Sequence, residues 1–246
     1  MSVFLLNREL VFPNPEFAEP DGLLAIGGDL SPERIILAYK EGIFPWYNYE
    51  PILWWSPPLR PVIFPHLFHM SRSLYQTLKR EIYRVTFDRD FYSVIYSCAT
   101  TPRKNSSATW ITLDMFNAYC NLYEYGYAHS VEVWYEDELV GGLYGVAIGR
   151  FFSGESMFTK MKDASKVALA CLVEHLIENN FYFIDCQVTN PHLLSLGAIE
   201  IPRAVYINLV KEAIKFEHNK GSWNKEIFST ANTAKFLREN LIRRKK

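Results

Sequence analysis

Three strand-forming segments follow one another closely in the middle of the chain, and they constrain its fold more than any other feature. The segments are residues 128–135, 139–148 and 151–157. Polar turns of two residues, Glu136-Asp137 and Gly149-Arg150, separate them. Turns this short join antiparallel neighbours, so the sequence predicts a three-stranded meander. Residues 166–178 then carry a broad apolar stripe that is typical of a helix packed on a sheet.

The segments on either side of the meander predict an α+β fold. Before it we expect a helix at 71–80, a strand at 83–87, a helix from Asp88 to Cys98 and a helix from Thr112 to Gly126. After the long helix we expect a strand that begins at Phe181, a short helix at 192–195 and a last strand at 199–206. This order of elements resembles that of the GNAT superfamily of N-acyltransferases. By this resemblance, residues 61–246 are expected to form a GNAT-like domain, a mixed sheet flanked by helices.

Residues 1–60 differ in composition and are predicted to form a small, irregular N-terminal domain. They hold many of the prolines and three of the six tryptophans. Ser31-Pro32-Glu33 is typical of a helix start, and we expect that helix to run to about residue 40. Two aromatic-proline segments, residues 43–46 and 53–57, are expected to be rigid and non-helical. Their rings are stacking platforms if exposed and packing elements if buried.

Composition and charge exclude several classes of protein. The 246 residues are 49% hydrophobic and 15% aromatic, which excludes a disordered chain. The net charge of −1 gives no overall attraction to nucleic acid, so any polyanion has to bind at a local patch. The four cysteines and six histidines show neither Cys-x-x-Cys nor His-Glu-x-x-His spacing, so we expect reduced thiols and no metal.

The sequence also predicts the location and assembly of the protein. The longest uncharged apolar stretch, residues 139–149, is too short to span a bilayer, so a cytoplasmic protein without a membrane segment is expected. No heptad repeat indicates an interface, so we expect a monomer.

A strand that ends in polar residues, 181–187, marks the expected site. Aromatic and β-branched residues run directly into Asp185, Cys186 and Gln187. A buried carboxylate costs roughly several kcal/mol unless it is neutralised or hydrogen-bonded. Asp185 therefore serves a site, caps the next helix or pairs with a lysine. Cys186 is expected to be buried and inert, and His129 to be a structural hydrogen-bonding residue.

A series of motifs resembles one family, the leucyl/phenylalanyl-tRNA–protein transferases. The motifs are residues 22–32, 42–46, 54–57, 71–73, 109–111, 128–134, 154–158, 164–166 and 184–187. They follow in order through residues 10–207 without a long gap. The stretch 160–166 has no glycine where a GNAT acetyltransferase binds the pyrophosphate of acetyl-CoA, which favours another acyl donor.

This resemblance implies a bacterial enzyme that forms a peptide bond without a cofactor. It implies transfer of Leu or Phe, and more weakly Met, from aminoacyl-tRNA to the α-amine of proteins that begin with Arg or Lys. The product would be an N-degron, marked for proteolysis. Two rival hypotheses remain: an ordinary GNAT acetyltransferase, and a non-catalytic module that binds aminoacyl-tRNA or an N-terminal degron.

The resemblance also assigns residues to roles. Asp185, Gln187 and Glu155 would be the catalytic residues beside the amine. Asp185 would be either the general base or a positioning charge, and Gln187 would hydrogen-bond the substrate or the developing oxyanion. The alternative for Glu155 is a salt bridge with a neighbouring strand. Trp46 and Trp110 would contact the terminal adenosine of the tRNA. The pocket for the aminoacyl side chain would be formed by Phe152, Met157, Leu143, Leu169, Leu176 and Ile184, which otherwise belong to the core. Leu143 departs from the family, which commonly has Met there, and is expected to affect the preference between Leu and Phe.

Basic side chains supply candidates for contact with the tRNA backbone. They are Arg72, Lys79, Arg80 and Arg84, with Arg103 and Lys104 in a polar loop. Phosphate contacts position a nucleic acid without reading its sequence. The alternative is that these residues form an ordinary solvated surface.

Overall fold

The computed structural model describes residues 3–102, 110–217, 221–227 and 229–242. Strands β1–β6 are Phe4–Leu6, Leu23–Gly27, Phe44–Pro45, Leu53–Trp55, Leu59–Ile63 and Arg84–Phe87. Strands β7–β12 are Ala128–Tyr135, Glu138–Ile148, Phe151–Thr159, Phe183–Asp185, Ile199–Pro202 and Glu226–Ile227. Helices α1–α8 are Pro32–Lys40, Arg72–Lys79, Phe91–Thr100, Leu113–Glu124, Ala164–Glu178, Pro191–Ser195, Arg203–Ala213 and Thr230–Asn240.

The strands form two mixed sheets. The smaller has the order β1-β2-β4-β3, and β5 already belongs to the larger, which has the order β11-β5-β10-β9-β8-β7-β6-β12. One hydrophobic cluster joins α1 and the smaller sheet to α3 and α4. The independent folding of residues 1–60 stays a prediction.

The predicted meander is confirmed as β7, β8 and β9, which pair antiparallel. The order strand, two helices, meander, long helix, strand, short helix, strand is also confirmed, from β6 to β11. The α+β fold class, with a mixed sheet flanked by helices, is therefore confirmed. Strand β10 pairs parallel with β9 on one side and antiparallel with β5 on the other.

Helices cover both faces of the larger sheet. One face packs against α1, α3, α4 and α7, and the other packs against α2, α5 and α8. Helix α5 lies close to the sheet because β8 has a glycine where it contacts α5. A Cβ on Gly141 would lie 2.5 Å from the Cβ of Ala164. This close approach places the first turns of α5 beside β8 and β9. Among the helices of the described ranges, none has the length and hydropathy of a membrane span.

The predicted last strand, 199–206, is wrong in its second half. Strand β11 ends at Pro202, and α7 begins at the next residue. Tyr206, Val210 and Ala213 are fully buried, at helical spacing, against the sheet. Taken alone, the apolar residues 204–207 fit the period of a strand as well as that of a helix, and packing against the sheet selects the helix.

The prediction that Asp88 begins a helix is also wrong. Helix α3 begins after Asp90, whose side chain accepts a hydrogen bond from Ser93 N at 3.1 Å. Asp88 has a left-handed backbone, with φ of 54°, and its carboxylate lies 2.8 Å from His129 Nδ1 and accepts from Trp223 N. His129 is therefore confirmed as a structural hydrogen-bonding residue.

Candidate active site

A cavity of about 310 Å³ opens where β9 and β10 stop pairing. The last paired residues are Ser153 and Asp185. The lining includes residues 154–157, which follow Ser153 on β9, and Asp185 with the three residues that follow it, 186–188. A cleft of this size between parallel strands is large enough for a small ligand or the end of a larger one.

Apolar side chains form the wall that α5 and the meander contribute. Five of the six residues predicted for the aminoacyl pocket line it: Leu143, Phe152, Met157, Leu169 and Ile184. Leu176 lies farther along α5, is fully buried in the core and does not line the cavity. Leu172, one turn after Leu169, lines it instead. The resemblance therefore named one α5 residue that lines the cavity, Leu169, and one that lies in the core, Leu176.

Asp185 is fully buried and paired with Arg60, a residue that sequence reasoning missed. Arg60 Nε and Nη2 donate to its two carboxylate oxygens at 2.8 and 2.7 Å. The Tyr206 hydroxyl donates to Asp185 at 2.8 Å. The Arg60 guanidinium lies between the rings of Phe44 and Tyr206, 4.4 and 4.5 Å from their centroids. Burial alone would lower the pKa of Arg60, but the Asp185 carboxylate raises it above its usual range, so the pair stays ionic.

Glu155 is the second carboxylate of the cavity, and it pairs with no cation among the described residues. Tyr39 and Tyr119 donate to its two oxygens, each at 2.7 Å. Their hydroxyl oxygens lie 2.8 Å from each other. Burial raises the pKa of Glu155. The pKa values of both tyrosines are raised as well, mainly by burial and secondly by the charge of Glu155. The predicted alternative, a salt bridge to a neighbouring strand, is not observed within the described ranges.

The triangle formed by Glu155, Tyr39 and Tyr119 has room for one more proton. Each phenol carries a single proton, so two protons serve three close contacts when Glu155 is ionised. A proton on Glu155 completes all three contacts: Glu155 to Tyr119, Tyr119 to Tyr39, and Tyr39 to Glu155. Ser153 Oγ and the Gln187 amide also donate to Glu155, at 3.0 and 2.7 Å, so the ionised carboxylate is hydrogen-bonded as well. These contacts accommodate both the ionised and the protonated form of Glu155.

Gln187 connects the two carboxylates. Its backbone N–H donates to Asp185 at 2.9 Å, and its side-chain amide donates to Glu155 at 2.7 Å. The backbone of Gln187 is left-handed, with φ of 59°, a conformation that costs a non-glycine residue energy and is frequent at functional sites. This turn directs the amide toward Glu155, while Asp185 holds the turn in place.

Trp46 and Trp110 both line the cavity. Trp46 is 41% exposed, and its carbonyl accepts a hydrogen bond from Trp55 Nε1 at 2.7 Å. Trp110 contacts the Tyr119 ring edge-on at 6.5 Å between centroids. Cys186 is partly exposed as a residue and lines the cavity, so the prediction that it is buried is wrong. Its thiol is the buried part, and this burial raises the pKa of the thiol.

The remaining predicted residues lie away from the cavity. Arg72, Lys79 and Arg80 are exposed on or beside α2. Arg84 instead pairs with Glu226 at 3.7 Å and lies over the Trp134 ring. Arg103 and Lys104 lie outside the described residues. No group of three His, Cys, Asp or Glu side chains in the described ranges is arranged to hold a metal ion.

Comparison with known families decides how this site is classified. Residues 62–211 match the model of the leucyl/phenylalanyl-tRNA protein transferases, and residues 28–58 match the model of their N-terminal domain. The chain belongs to this family. A leucyl/phenylalanyl-tRNA–protein transferase from Thermodesulfovibrio yellowstonii is 66% identical over 244 residues, 99% of this chain and 100% of that protein. Its counterpart from Syntrophotalea carbinolica is 56% identical over 87% of this chain and 93% of that protein.

As a family member, the chain is an aminoacyltransferase that depends on aminoacyl-tRNA. Among solved structures, that of L-PGS from Bacillus licheniformis is similar with a TM-score of 0.42 and 12% identity, over 78% of this chain and 71% of that one.

Proposed function

We propose that the enzyme transfers Leu or Phe, and more weakly Met, from aminoacyl-tRNA to the α-amine of proteins that begin with Arg or Lys. The product is an N-degron that directs the protein to proteolysis. The observation that carries this proposal is the contrast within one cavity. The α5 side is an apolar wall, and the other side has Glu155, a carboxylate that forms no ion pair with the part of the chain that the structure describes. The donor is used in translation, so we place the enzyme in the cytoplasm. We also propose that it works as a monomer and without a cofactor.

The apolar wall suits the donor, and Glu155 suits the acceptor. The Asp185 charge is already neutralised by Arg60, so Glu155 provides the negative charge that attracts a cationic amino terminus. Preference for Arg or Lys follows from the same charge. Met157 adapts to Leu, Phe or Met because its thioether side chain is unbranched and flexible.

The reaction needs orientation and one proton acceptor. An α-amine has a pKa of about 7.7 to 8.0, so part of it is unprotonated at neutral pH. Its nitrogen attacks the ester carbonyl, the C–N bond forms, and the bond to the tRNA ribose oxygen breaks. The proton lost by nitrogen passes to Glu155 and then to the departing ribose hydroxyl. Orientation can supply roughly 7 to 11 kcal/mol of the barrier, and a general base about 10² to 10⁴ in rate.

Asp185 has a positioning role in this proposal. The Arg60 guanidinium donates to both of its oxygens, whereas the donors to Glu155 are neutral, and this difference supports a positioning role for Asp185. Gln187, held by its N–H donation to Asp185, orients Glu155 and the substrate.

Replacement of either cavity tryptophan tests the adenosine site. Stacking of a base on an aromatic ring contributes about 1–3 kcal/mol. Trp46→Ala and Trp110→Ala are therefore each expected to raise KM for leucyl-tRNA about 5- to 150-fold. Tyr96→Ala, at an exposed ring on α3 that does not line the cavity, is the control. An unchanged KM in both cavity variants would reject the adenosine site.

Leu143→Met tests the aminoacyl pocket. The exchange conserves volume and is expected to change the free energy of unfolding by less than about 1.5 kcal/mol. Small changes in an apolar pocket alter discrimination by about 10-fold or somewhat more, so the ratio of kcat/KM for Leu-tRNA and Phe-tRNA is expected to shift by about that factor. An unaltered ratio, with both donors used, would place the aminoacyl side chain elsewhere.

Acceptor specificity is tested with peptides that differ only in their first residue. Peptides beginning with Arg and Lys are expected to accept radiolabelled Leu, and peptides beginning with Ala and Glu to accept it at least about tenfold more slowly, because only the former add a cation near Glu155. Equal transfer to all four would refute the proposed acceptor preference. Transfer of acetyl from acetyl-CoA, with none from leucyl-tRNA, would favour the rival acetyltransferase. Binding of leucyl-tRNA without product would favour the non-catalytic module.

A further inference from the structure

A second groove, separate from the cavity, lies where the segment 47–52 faces α4. It encloses about 330 Å³. Two carboxylates, two carboxamides, one phenol and three apolar residues line it: Glu50, Asp114, Asn117, Asn121, Tyr47, Leu30, Ile52 and Ala118. Asp114, Asn117 and Asn121 share one face of α4 because they are three and then four residues apart. Among the described residues, no basic side chain lines this acidic groove.

The polar side chains of the acidic groove lack partners. Neither Glu50 nor Asp114 forms an ion pair with another residue of the described ranges. Tyr47 is only 5% exposed, and its buried hydroxyl has no hydrogen-bond partner in the part of the chain that the structure describes. The neighbouring Thr112 hydroxyl lies outside hydrogen-bonding geometry and accepts from Met115 N. Because a buried polar group without a partner is costly, the Tyr47 hydroxyl indicates a ligand from outside.

The chemistry of the acidic groove suits an organic cation. Burial, and further the charges of Glu50 and Asp114, raise the pKa of the Tyr47 hydroxyl, so the phenol lies in the negative potential of both carboxylates. Carboxylate, carboxamide and phenol oxygens all accept hydrogen bonds, and an ammonium or guanidinium group supplies three to five N–H donors. The volume of the groove exceeds that of a bare metal ion and accommodates the apolar stem of a Lys or Arg side chain against its three apolar residues.

The acidic groove lies on the acceptor side of the enzyme. The apolar wall for the donor belongs to α5, whereas Tyr39 and Tyr119, which donate to Glu155, belong to α1 and α4 on the other face of the sheet. Trp46 lines the cavity and directly precedes Tyr47, which lines the groove.

The distance between the cavity and the acidic groove is within reach of a short peptide. Tyr119 and the groove residues lie on opposite sides of α4, and a helix with its side chains is about 10–12 Å wide. An extended chain advances about 3.3 Å per residue. A protein whose α-amine lies at Glu155 therefore reaches the groove with its third to fifth residues.

We propose that the acidic groove binds a Lys or Arg side chain at the third, fourth or fifth position of the acceptor protein. This inference rests on the proposed acceptor and adds selection beyond its first residue. The cation lies between Glu50 and Asp114 and donates to the Tyr47 hydroxyl and to the carboxamide oxygens. Acceptors with a basic residue at one of these positions are therefore used at lower concentration than acceptors without one.

The test is a lysine scan of the acceptor peptide. Each peptide begins with Arg and carries one Lys at a position from two to six, and the reference peptide has Gln instead. KM for each peptide is measured from the initial rate of Leu transfer from leucyl-tRNA. Two double variants of equal charge change are compared: Glu50→Gln/Asp114→Asn in the groove, and Glu136→Gln/Asp137→Asn at the exposed turn between β7 and β8. Thermal melting checks that both fold.

For the wild type and the turn variant, Lys at one or more of the third to fifth positions is expected to lower KM about fivefold relative to Gln. Two partly exposed ion pairs are expected to contribute about 1.4- to 5-fold each. The groove variant loses this advantage, and added salt weakens it in the wild type because salt screens exposed charges.

Three results would overturn the proposal: a KM of the wild type that does not depend on the position of Lys, an advantage that the groove variant retains, or a rise in the groove variant confined to KM for leucyl-tRNA. Failure of the proposed function looks different, because the wild type would then transfer Leu to none of the peptides.

Discussion

Glu155→Gln is expected to lower the rate of Leu transfer at least about 100-fold while the protein stays folded. Glutamine reproduces the shape and hydrogen bonds of a protonated Glu155: its amide donates to Tyr119, Tyr119 donates to Tyr39, and Tyr39 donates to the amide oxygen. It cannot accept a proton. Single-turnover transfer from leucyl-tRNA to an Arg peptide, with thermal melting of each variant, measures both effects.

Tyr119→Phe is the matched control, because it removes one hydrogen bond to Glu155 and keeps the carboxylate. We expect its rate to fall by less than about tenfold, as for one neutral hydrogen bond of about 0.5–1.5 kcal/mol. A Glu155→Gln enzyme that is folded and as fast as the wild type would remove Glu155 from the mechanism.

The pH dependence of the wild type and of Glu155→Gln gives an independent check on the role of Glu155. Burial raises the pKa of Glu155 above 4.5, so the wild-type rate is expected to fall as pH decreases through that raised value. The free energy of unfolding depends on pH in the opposite direction to the rate. Because the ionised form of Glu155 is disfavoured in the folded state, the wild type loses stability relative to Glu155→Gln as pH rises from about 4.5. At neutral pH the variant is therefore expected to be no less stable than the wild type.

Asp185→Ala is expected to destabilise the protein by about 3–5 kcal/mol, because it leaves the buried Arg60 guanidinium without a counter-ion. Tyr206 and the Gln187 N–H lose their acceptor as well. Transfer is expected to fall at least about tenfold, since Gln187 no longer holds its turn. Urea unfolding of the wild type and the variant measures the first effect, and the transfer assay measures the second.

An exposed ion pair provides the control for Asp185. Glu212, on α7, pairs with Lys215, which follows the end of that helix, and both side chains are more than half exposed. Glu212→Ala is expected to cost less than about 1 kcal/mol. The double variant Arg60→Met/Asp185→Leu is expected to be more stable than Asp185→Ala, because no unpaired charge remains, and to stay slow in transfer. If the double variant transferred Leu at the wild-type rate, the positioning role of Asp185 would be wrong.

Local periodicity predicted most of the fold. The alternation in β7 to β9 and the apolar stripe of α5 are properties of adjacent residues, and these elements have the expected limits within a few residues. Helix α7 was missed because it directly follows β11 and because residues 204–207, Ala-Val-Tyr-Ile, are apolar and also suit a strand. The contact of Tyr206 with Phe183 of the sheet decides the outcome. Asp88 was misassigned because its partner His129 is 41 residues away in the chain.

The candidate site was predicted only in part, because several of its contacts join residues that lie far apart in the chain. The motif 185–187 and Glu155 are visible in the sequence, but Arg60 is 125 residues from Asp185, and nothing local connects them. A charged residue between the apolar neighbours of β5 was the available sign of a buried pair. Tyr39 and Tyr119 belong to α1 and α4, where an aromatic residue on a helix predicts core packing. Only the packing of these helices on the sheet brings the phenols to Glu155.

The most direct test of the central claim is transfer of radiolabelled Leu from leucyl-tRNA to an Arg peptide, beside the same peptide acetylated at its amino terminus. The proposed mechanism predicts that label appears only on the free peptide and that sequencing of the product finds Leu before Arg. Label on both peptides would mean that the α-amine is not the nucleophile. Absence of label from both, with leucyl-tRNA still bound, would contradict the proposed reaction as a whole.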